Sequence, residues 1–185
     1  MTASRRANPG PKAAAENRAA LIRAARTVFA ENGFDAPFSL IARAAGVGQG
    51  VLYRHFPTRE TMAIAVFEEN IVEIEVLAAD PATTVGDVLA LIVDQLTASA
   101  AFLAMIYPSN TEDEQLLGAA WRLLGLIAQM LDDPGKRGDI RADVTATDIV
   151  IAVAMLAALL AKTDLKSRQA TSRQAWSILE RGLRT

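Results

Sequence analysis

The chain has 185 residues, of which 51% are hydrophobic and 22% charged, and its net charge is −2. This length suits one or two small domains with a substantial core, and the composition is not that of a disordered chain. The lack of cysteine excludes disulfides, thiolate zinc sites and iron–sulfur clusters, and the single histidine, His55, excludes a histidine-rich metal site. No cofactor or metal is therefore predicted. Because β-branched and aromatic residues form no alternating runs, we predict an all-α fold.

The charge is distributed unevenly along the chain. Residues 1–60 carry nine Arg and Lys against four Asp and Glu, and the remainder is acidic. A basic N-terminal third is typical of a protein that meets a polyanion at one end, although an uneven solvated surface has the same composition. The first twenty residues lack a secretory signal, and the longest nearly apolar run, 149–161, is too short to span a bilayer. These patterns predict a soluble cytoplasmic protein outside the membrane.

In chain order, residues 1–12 are predicted to be a disordered basic arm, and a helix over 13–32 is expected to end at Gly33. Two short helices follow at 37–45 and 49–56. Eight helices are predicted in all, with Thr58 and Thr145 as N-caps and a loop over 132–144. The longer helices are expected at 58–79, 83–106, 111–131, 145–162 and 167–181.

The two short helices and the turn Ala45-Gly46-Val47-Gly48 predict a helix-turn-helix. Gly46 supplies the positive φ of the turn, and Leu52 and Phe56 anchor the second helix in a three-helix core. Gln49 is the best candidate for reading a base, because its amide can pair with adenine through two hydrogen bonds. Gly50 would let the backbone approach the groove, and Val51 could contact a thymine methyl.

Three segments resemble a known family: FAENGF from Phe29, IARAAGVG from Ile41 and LYRHFPTRE from Leu52. They are similar to the N-terminal domain of the tetracycline-repressor-like (TetR) transcriptional regulators, over about residues 17–67. GDIRADV from Gly138 shows a weaker resemblance, to a loop before the eighth helix of many members. The resemblance implies nine helices, the ninth expected as a split within 83–131. It also implies a homodimer that binds a palindromic operator in double-stranded DNA and releases it when a small ligand binds.

The resemblance also assigns roles to residues of the helix-turn-helix. Tyr53 and His55 correspond to positions that contact phosphate, although Tyr53 could instead pack on the first helix and His55 cap its segment. Arg59 stands where Lys is usual, at the start of the fourth helix, and is predicted to clamp a phosphate. Val51 stands where Thr or Ala is usual. For three further residues, two interpretations stay open: each contacts DNA, or each is merely a solvated or helix-capping group. These residues are Ser39, Arg43 and Arg54.

A ligand pocket is predicted within residues 58–185. Its expected lining combines aromatic, apolar and amide side chains: Phe67, Asn70, Ile71, Phe102, Met105, Tyr107 and Trp121. Such a stripe is also typical of a core that binds nothing. Because no basic cluster is available to hold a polyanion, the expected ligand is apolar or aromatic and weakly polar.

The segment 149–161 is apolar nearly all round, so it must be covered on every side. A partner subunit is the simplest cover, and the last helix would join it in a four-helix dimer bundle. The predicted interface consists of Ile149, Val153, Leu156, Ala157, Leu160, Trp176 and Leu179.

The sequence therefore predicts a helix-turn-helix DNA-binding domain at 13–57 and a helical-bundle ligand-binding and dimerisation domain at 58–185. The predicted function is sequence-specific regulation of transcription, as a repressor released by a small ligand. The alternative is a DNA-binding protein of the same fold without such a ligand, controlled by a protein partner or by concentration. An enzyme is not predicted, because the chain lacks cysteine and a Gly-rich phosphate loop and its histidine lies in the DNA-reading segment.

Overall fold

The structure, a computed structural model, describes residues 10–98 and 114–185. Within these ranges the chain forms nine helices and no β-strand, which confirms the all-α prediction. A single antiparallel bridge joins Ile140 to Arg184. The helices are α1 (Pro11–Asn32), α2 (Phe38–Ala44), α3 (Gln49–His55), α4 (Arg59–Ala79), α5 (Val85–Ala98), α6 (Glu114–Asp132), α7 (Pro134–Arg137), α8 (Ala146–Ala161) and α9 (Arg168–Leu183). None of these helices has the length and apolar character needed to cross a membrane.

Several helix ends follow from local chemistry that the sequence predicts. Gly33 ends α1 with φ of +81°, and its N–H donates to the Phe29 carbonyl at 3.0 Å. Thr58 begins α4, and its hydroxyl accepts a hydrogen bond from the Thr61 N–H at 3.2 Å. Thr145 begins α8 in a reciprocal capping box with Asp148. The predicted caps of α4 and α8 are confirmed.

Two helix boundaries differ from the prediction because proline occupies a first turn. Pro11 begins α1 inside the predicted arm, and Pro134 begins α7 inside the predicted loop 132–144. The side chain of Asp133 caps α7 by accepting from the Gly135 N–H at 2.9 Å. Proline suits the first helical position because its missing N–H has no partner there. Among the described residues, the helix added to the eight predicted is thus α7. The predicted extension of α5 to 106 and the expected split within 83–131 involve residues outside the described ones, so they stay predictions.

The buried apolar side chains form two cores that meet along α4. The first core unites α1, α2 and α3 with the first two turns of α4 through Leu21, Ile22, Val28, Phe29, Ile41, Leu52, Phe56, Met62 and Val66. The second unites the rest of α4 with α5, α6, α8 and α9 through Phe67, Ile71, Ile74, Leu89, Ile92, Leu96, Ile127, Leu156 and Trp176. The division between the cores falls between Val66 and Phe67, beyond the predicted domain boundary at 57.

Ion pairs hold α4 against its neighbours. Arg26 of α1 contacts Glu73 at 2.6 Å, and Arg122 of α6 contacts Glu68 at 3.0 Å and Glu75 at 2.8 Å. The hydrogen bonds to Glu75 and then Glu68 raise the pKa of the Arg122 guanidinium above its ordinary value. Exposed pairs of this kind contribute at most about 1 kcal/mol each, so they orient α4 more than they stabilise the fold.

Candidate nucleic-acid interface

The turn between α2 and α3 has the conformation that the sequence predicts. Gly46 has φ of +69°, a region that side chains rarely adopt. The Val47 N–H donates to the Ala42 carbonyl at 3.0 Å, and Ala42 is buried where α2 and α3 approach. The turn therefore fixes the direction of α3 relative to α2, and the helix-turn-helix prediction is confirmed.

Helix α3 is anchored on one side and open on the other. Leu52 is fully buried in the first core, while Gln49, Gly50 and Arg54 are exposed. The guanidinium of Arg54 donates from Nε to the Gly50 carbonyl at 3.1 Å. A Cβ built on Gly50 would meet no atom of the described structure within 4 Å. Packing within the protomer therefore gives no reason for glycine at this position, which leaves room for a close external contact.

The two predicted phosphate-contacting side chains lie on α3 beside aromatic rings. Tyr53 is 52% exposed, and the centroid of its ring lies 5.7 Å from that of Phe38 on α2. His55 is half-buried, with its ring 6.3 Å from the Phe56 ring. Each side chain is thus positioned by an aromatic neighbour while part of it stays accessible.

Arg59 makes contacts within the protein that the sequence did not predict. Its Nη1 donates to the Ala36 carbonyl at 2.6 Å and also to the Phe34 carbonyl. Its guanidinium lies 5.2 Å from the centroid of the Phe38 ring and 5.7 Å from that of Phe34. The guanidinium therefore fastens the segment between α1 and α2 to the start of α4 through one nitrogen and its flat face. Arg at a position where Lys is usual was the available signal, since only Arg carries a planar cation that stacks on aromatic rings.

The remaining basic and hydroxyl candidates lie around this surface. Ser39 is half-buried in the first turn of α2, and Arg43 is exposed in its last turn. Arg18 of α1 lies 5.3 Å from the Phe56 ring, a contact that sequence reasoning missed because the two residues are far apart in the chain. Of the basic residues in the predicted arm, Lys12 is exposed on α1, and Arg5 and Arg6 lie outside the described residues.

The predicted ligand-pocket residues divide into three groups. Phe67, Asn70 and Ile71 are buried on α4 in the second core. Trp121 is 68% exposed on α6, so it lies apart from the buried group, and its role in ligand binding stays a prediction. Three others lie outside the described residues: Phe102, Met105 and Tyr107.

Asn70 and Gln95 form a buried polar pair between α4 and α5. The Gln95 amide donates from Nε2 to the Asn70 backbone carbonyl at 3.3 Å and to the Glu73 carboxylate at 3.1 Å. Within the described structure, Asn70 Nδ2 and Gln95 Oε1 are buried without a hydrogen-bond partner. A buried donor and acceptor left unpaired favour the binding of a ligand with complementary polar groups.

The predicted dimer residues are enclosed by their own protomer, which is a correction of the sequence interpretation. All are buried in the second core except Leu179, which packs partly buried against it: Ile149, Val153, Leu156, Ala157, Leu160, Trp176 and Leu179. A side chain enclosed in this way has no surface left for a partner. The apolar side chains that α8 exposes are Val150, Ile151, Met155 and Leu159, and α9 exposes Ile178.

An exposed helix held by a helix-turn-helix, joined to a helical body, defines a DNA-binding transcriptional regulator. Residues 21–66, which run from α1 to the end of the first core, match the model of the bacterial regulatory proteins, tetR family. A TetR transcription regulatory protein from Mycobacterium vanbaalenii is 30% identical, with 96% of this chain and 100% of that chain covered and a TM-score of 0.57. The chain belongs to the TetR family.

Other solved structures share the fold. A TetR transcriptional regulator from Streptomyces coelicolor is 29% identical, with 90% of this chain and 98% of that chain covered and a TM-score of 0.61. The transcriptional regulator FadR from Bacillus subtilis, in complex with stearoyl-CoA, is 23% identical, with 85% and 96% covered and a TM-score of 0.52. None of the curated proteins compared with the chain matches it.

Proposed function

We propose that this regulator is a repressor that binds a palindromic operator as a homodimer and is released by a small, largely apolar ligand. The observation that carries the proposal is the open face of α3, where Gln49, Gly50 and Tyr53 lie exposed opposite the buried Leu52. A short helix anchored on one side and open on the other fits the major groove of DNA.

On this surface, base reading and phosphate contact belong to different side chains. Gln49, in the first turn of α3, reads a base edge through its amide, and Val51 contacts a thymine methyl. Tyr53 and His55 donate to phosphate oxygens, which fix the register without reading the sequence. Ser39, Arg43, Arg54 and Arg59 are basic or hydroxyl groups at the rim of this surface, and Arg59 acts chiefly by holding the segment before α2.

The partner in the dimer is a second copy of this chain, placed against the exposed stripe of α8. This stripe consists of Ile151, Met155 and Leu159, spaced four residues apart along one face, and α9 exposes a further apolar residue, Ile178. Two copies of α8 and α9 can pack as a four-helix bundle with two-fold symmetry. The symmetric dimer would present two α3 helices spaced by about 34–36 Å, one turn of DNA.

The proposed switch runs through α4, which contributes to both cores. A ligand beside Phe67, Asn70 and Ile71 would press on the helix whose first turn carries Arg59 at the DNA-binding end. Tilting α4 would move the two α3 helices out of register with the operator. The ligand need only prefer the tilted state by a few kcal/mol. The complex of FadR with stearoyl-CoA supports a ligand with a large apolar part.

The experiment that tests the DNA-binding role is selection of binding sites from a random DNA pool by the wild-type protein. The expected result is a palindrome whose half-sites lie about one turn of DNA apart. The Gln49→Ala variant is then expected to lose about 1–3 kcal/mol at particular base pairs. Tyr53→Phe is expected to weaken binding to all sequences alike and to flatten its salt dependence.

Two results would contradict the proposal. Recovery of unrelated sequences without symmetry would exclude a palindromic operator, and a Gln49→Ala profile identical to wild type would remove Gln49 from base reading. Release of the selected DNA is tested by titrating the complex with apolar compounds, comparing the wild type with Asn70→Leu. If no compound releases the DNA, control by a protein partner or by concentration replaces the ligand.

A further inference from the structure

A cavity lies between the end of α1, the end of α5 and the start of α9. Its volume is about 520 Å³, within the range of small-molecule sites. Ala30, Val93, Ala98 and Leu165 give it an apolar lining. It shares no lining residue with the set Phe67, Asn70 and Ile71, so it is a different place in the molecule. We call it the α1–α5–α9 cleft.

Arg168 lines this cleft as a buried cation that forms no salt bridge within the described structure. The residue is 8% exposed, and its Nε and Nη1 are buried with no hydrogen-bond partner in the described structure. Burial lowers the pKa of its guanidinium below the ordinary value. A charged group removed from water without an acceptor carries a large free-energy cost, which an anion would remove.

The nearby carboxylate of Asp164 does not meet this need because the turn before α9 engages it. Its Oδ1 accepts from the N–H groups of Lys166 and Ser167 at 3.0 Å, and its Oδ2 accepts from the Ser167 hydroxyl at 2.9 Å. The Ser167 side chain accordingly makes no capping hydrogen bond to α9 in the described structure. Asp164 is thus engaged by its own turn, while Nε and Nη1 of Arg168 have no acceptor in the described structure.

We propose that the α1–α5–α9 cleft binds a small monocarboxylate with an apolar body, and that Arg168 is its counter-ion. The carboxylate would accept from the guanidinium at the start of α9, and the apolar part would cover Ala30, Val93 and Leu165. Glu31 and Asp94 also line the cleft, beside Arg168 and Arg173. Their carboxylates would repel further negative charges on a ligand, so a single negative charge is expected rather than a polyanion. The site goes beyond the proposed function, which places its ligand against α4.

The test uses octanoate as the probe, with 1-octanol and octylamine as neutral and cationic molecules of the same length. Binding is measured by calorimetry on the full chain without DNA, so the result does not depend on the repressor role. We expect octanoate to bind the wild type at least tenfold more tightly than either of the other two probes. Arg168→Met should weaken octanoate binding at least tenfold. Arg181→Gln removes the same charge from an exposed position of α9 and should leave binding unchanged.

Equal octanoate affinity in the wild type and Arg168→Met would overturn the proposal, as would the absence of octanoate binding to the wild type. If Arg168→Met does not fold, Arg168→Lys serves instead, because it keeps the charge and loses the planar fork. We then expect octanoate binding at least threefold weaker than wild type. An unchanged affinity in Arg168→Lys would likewise overturn the role of the guanidinium.

Discussion

Arg59 connects three segments of the DNA-binding half through a single guanidinium, whose Nη1 donates to two backbone carbonyls and whose plane lies over two rings. We expect Arg59→Lys to lower the free energy of unfolding by about 1–2 kcal/mol, because lysine keeps the charge and loses the planar group that lies over the two rings. Urea unfolding measures the change. Arg43→Lys, at an exposed position of α2, is the control and should unfold like wild type.

If Arg59 acts only on phosphate, the opposite pattern is expected. Arg59→Lys would then unfold like wild type, and Arg59→Gln would weaken DNA binding without changing the unfolding midpoint. A loss of stability in both variants supports the contacts seen in the structure.

Single residues were predictable where their own backbone decides their role. Gly33 and Gly46 were recognised because a positive φ in a turn favours glycine, whatever surrounds it. The partners of Arg59 were not predictable, because they are the backbone carbonyls of Phe34 and Ala36, more than twenty residues earlier in the chain. A backbone carbonyl carries no side-chain signal in a sequence.

At the scale of helices, the capping box of α8 has a measurable effect. The Thr145 hydroxyl accepts from the Asp148 N–H at 3.2 Å and donates to its carboxylate at 2.7 Å. We expect Thr145→Ala to reduce the free energy of unfolding by about 1 kcal/mol, because it leaves helix N–H groups unpaired. Chemical denaturation measures the loss. Thr147→Ala, two residues along the same turn, should cause no loss; equal losses in both variants would contradict the capping role.

Two aspartates near helix N-termini, one at α5 and one at α8, make the free energy of unfolding depend on pH. Hydrogen bonds to the Thr145 hydroxyl and backbone lower the pKa of Asp148, and those to Thr84 lower the pKa of Asp87. A carboxylate with a lower pKa in the folded chain contributes stability above its unfolded pKa, and that contribution is lost as pH falls through the folded pKa. We expect the thermal unfolding midpoint to decrease as the pH is lowered below about 4. In the double variant Asp87→Asn, Asp148→Asn, this decrease should be less steep. Identical profiles would remove these caps from the acid response.

The orientation of α8 was the helix-scale feature that the sequence could not supply. Apolar residues occupy nearly every position of Ala146–Ala161, so periodicity predicts burial without telling the inner face from the outer. Packing against α9, α6 and α5 turns Ile149, Val153 and Leu156 inward and leaves Ile151 and Met155 outside. By contrast, α1 carries polar residues opposite its buried Leu21, Ala25 and Val28, so its sequence distinguishes the two faces.

For the whole molecule, the exposed stripe of α8 predicts how subunits associate. Met155 is 57% exposed, so Met155→Glu should leave the protomer folded and convert the dimer to a monomer at micromolar concentration. Sedimentation measures the mass, and circular dichroism checks the fold. Val76→Glu places the same charge at a 69% exposed apolar position on α4 and should leave the dimer intact.

A wild-type chain that sediments as a monomer would contradict the proposed dimer. A dimer that survives Met155→Glu would place the interface elsewhere. Ala157→Glu gives a different result: Ala157 is 1% exposed, so a buried charge there should unfold the protomer rather than separate the subunits.

One continuous helix contributes to both cores, with Met62 and Val66 in the first core and Phe67 and Ile71 in the second. Neither core can open without removing packing from the same helix, so the two halves are expected to melt together in a single transition. A fragment that ends at residue 57 would lack the α4 residues of the first core, so it is expected to stay unfolded. The smallest piece expected to fold by itself therefore extends beyond Val66, into the helix that the other core also needs.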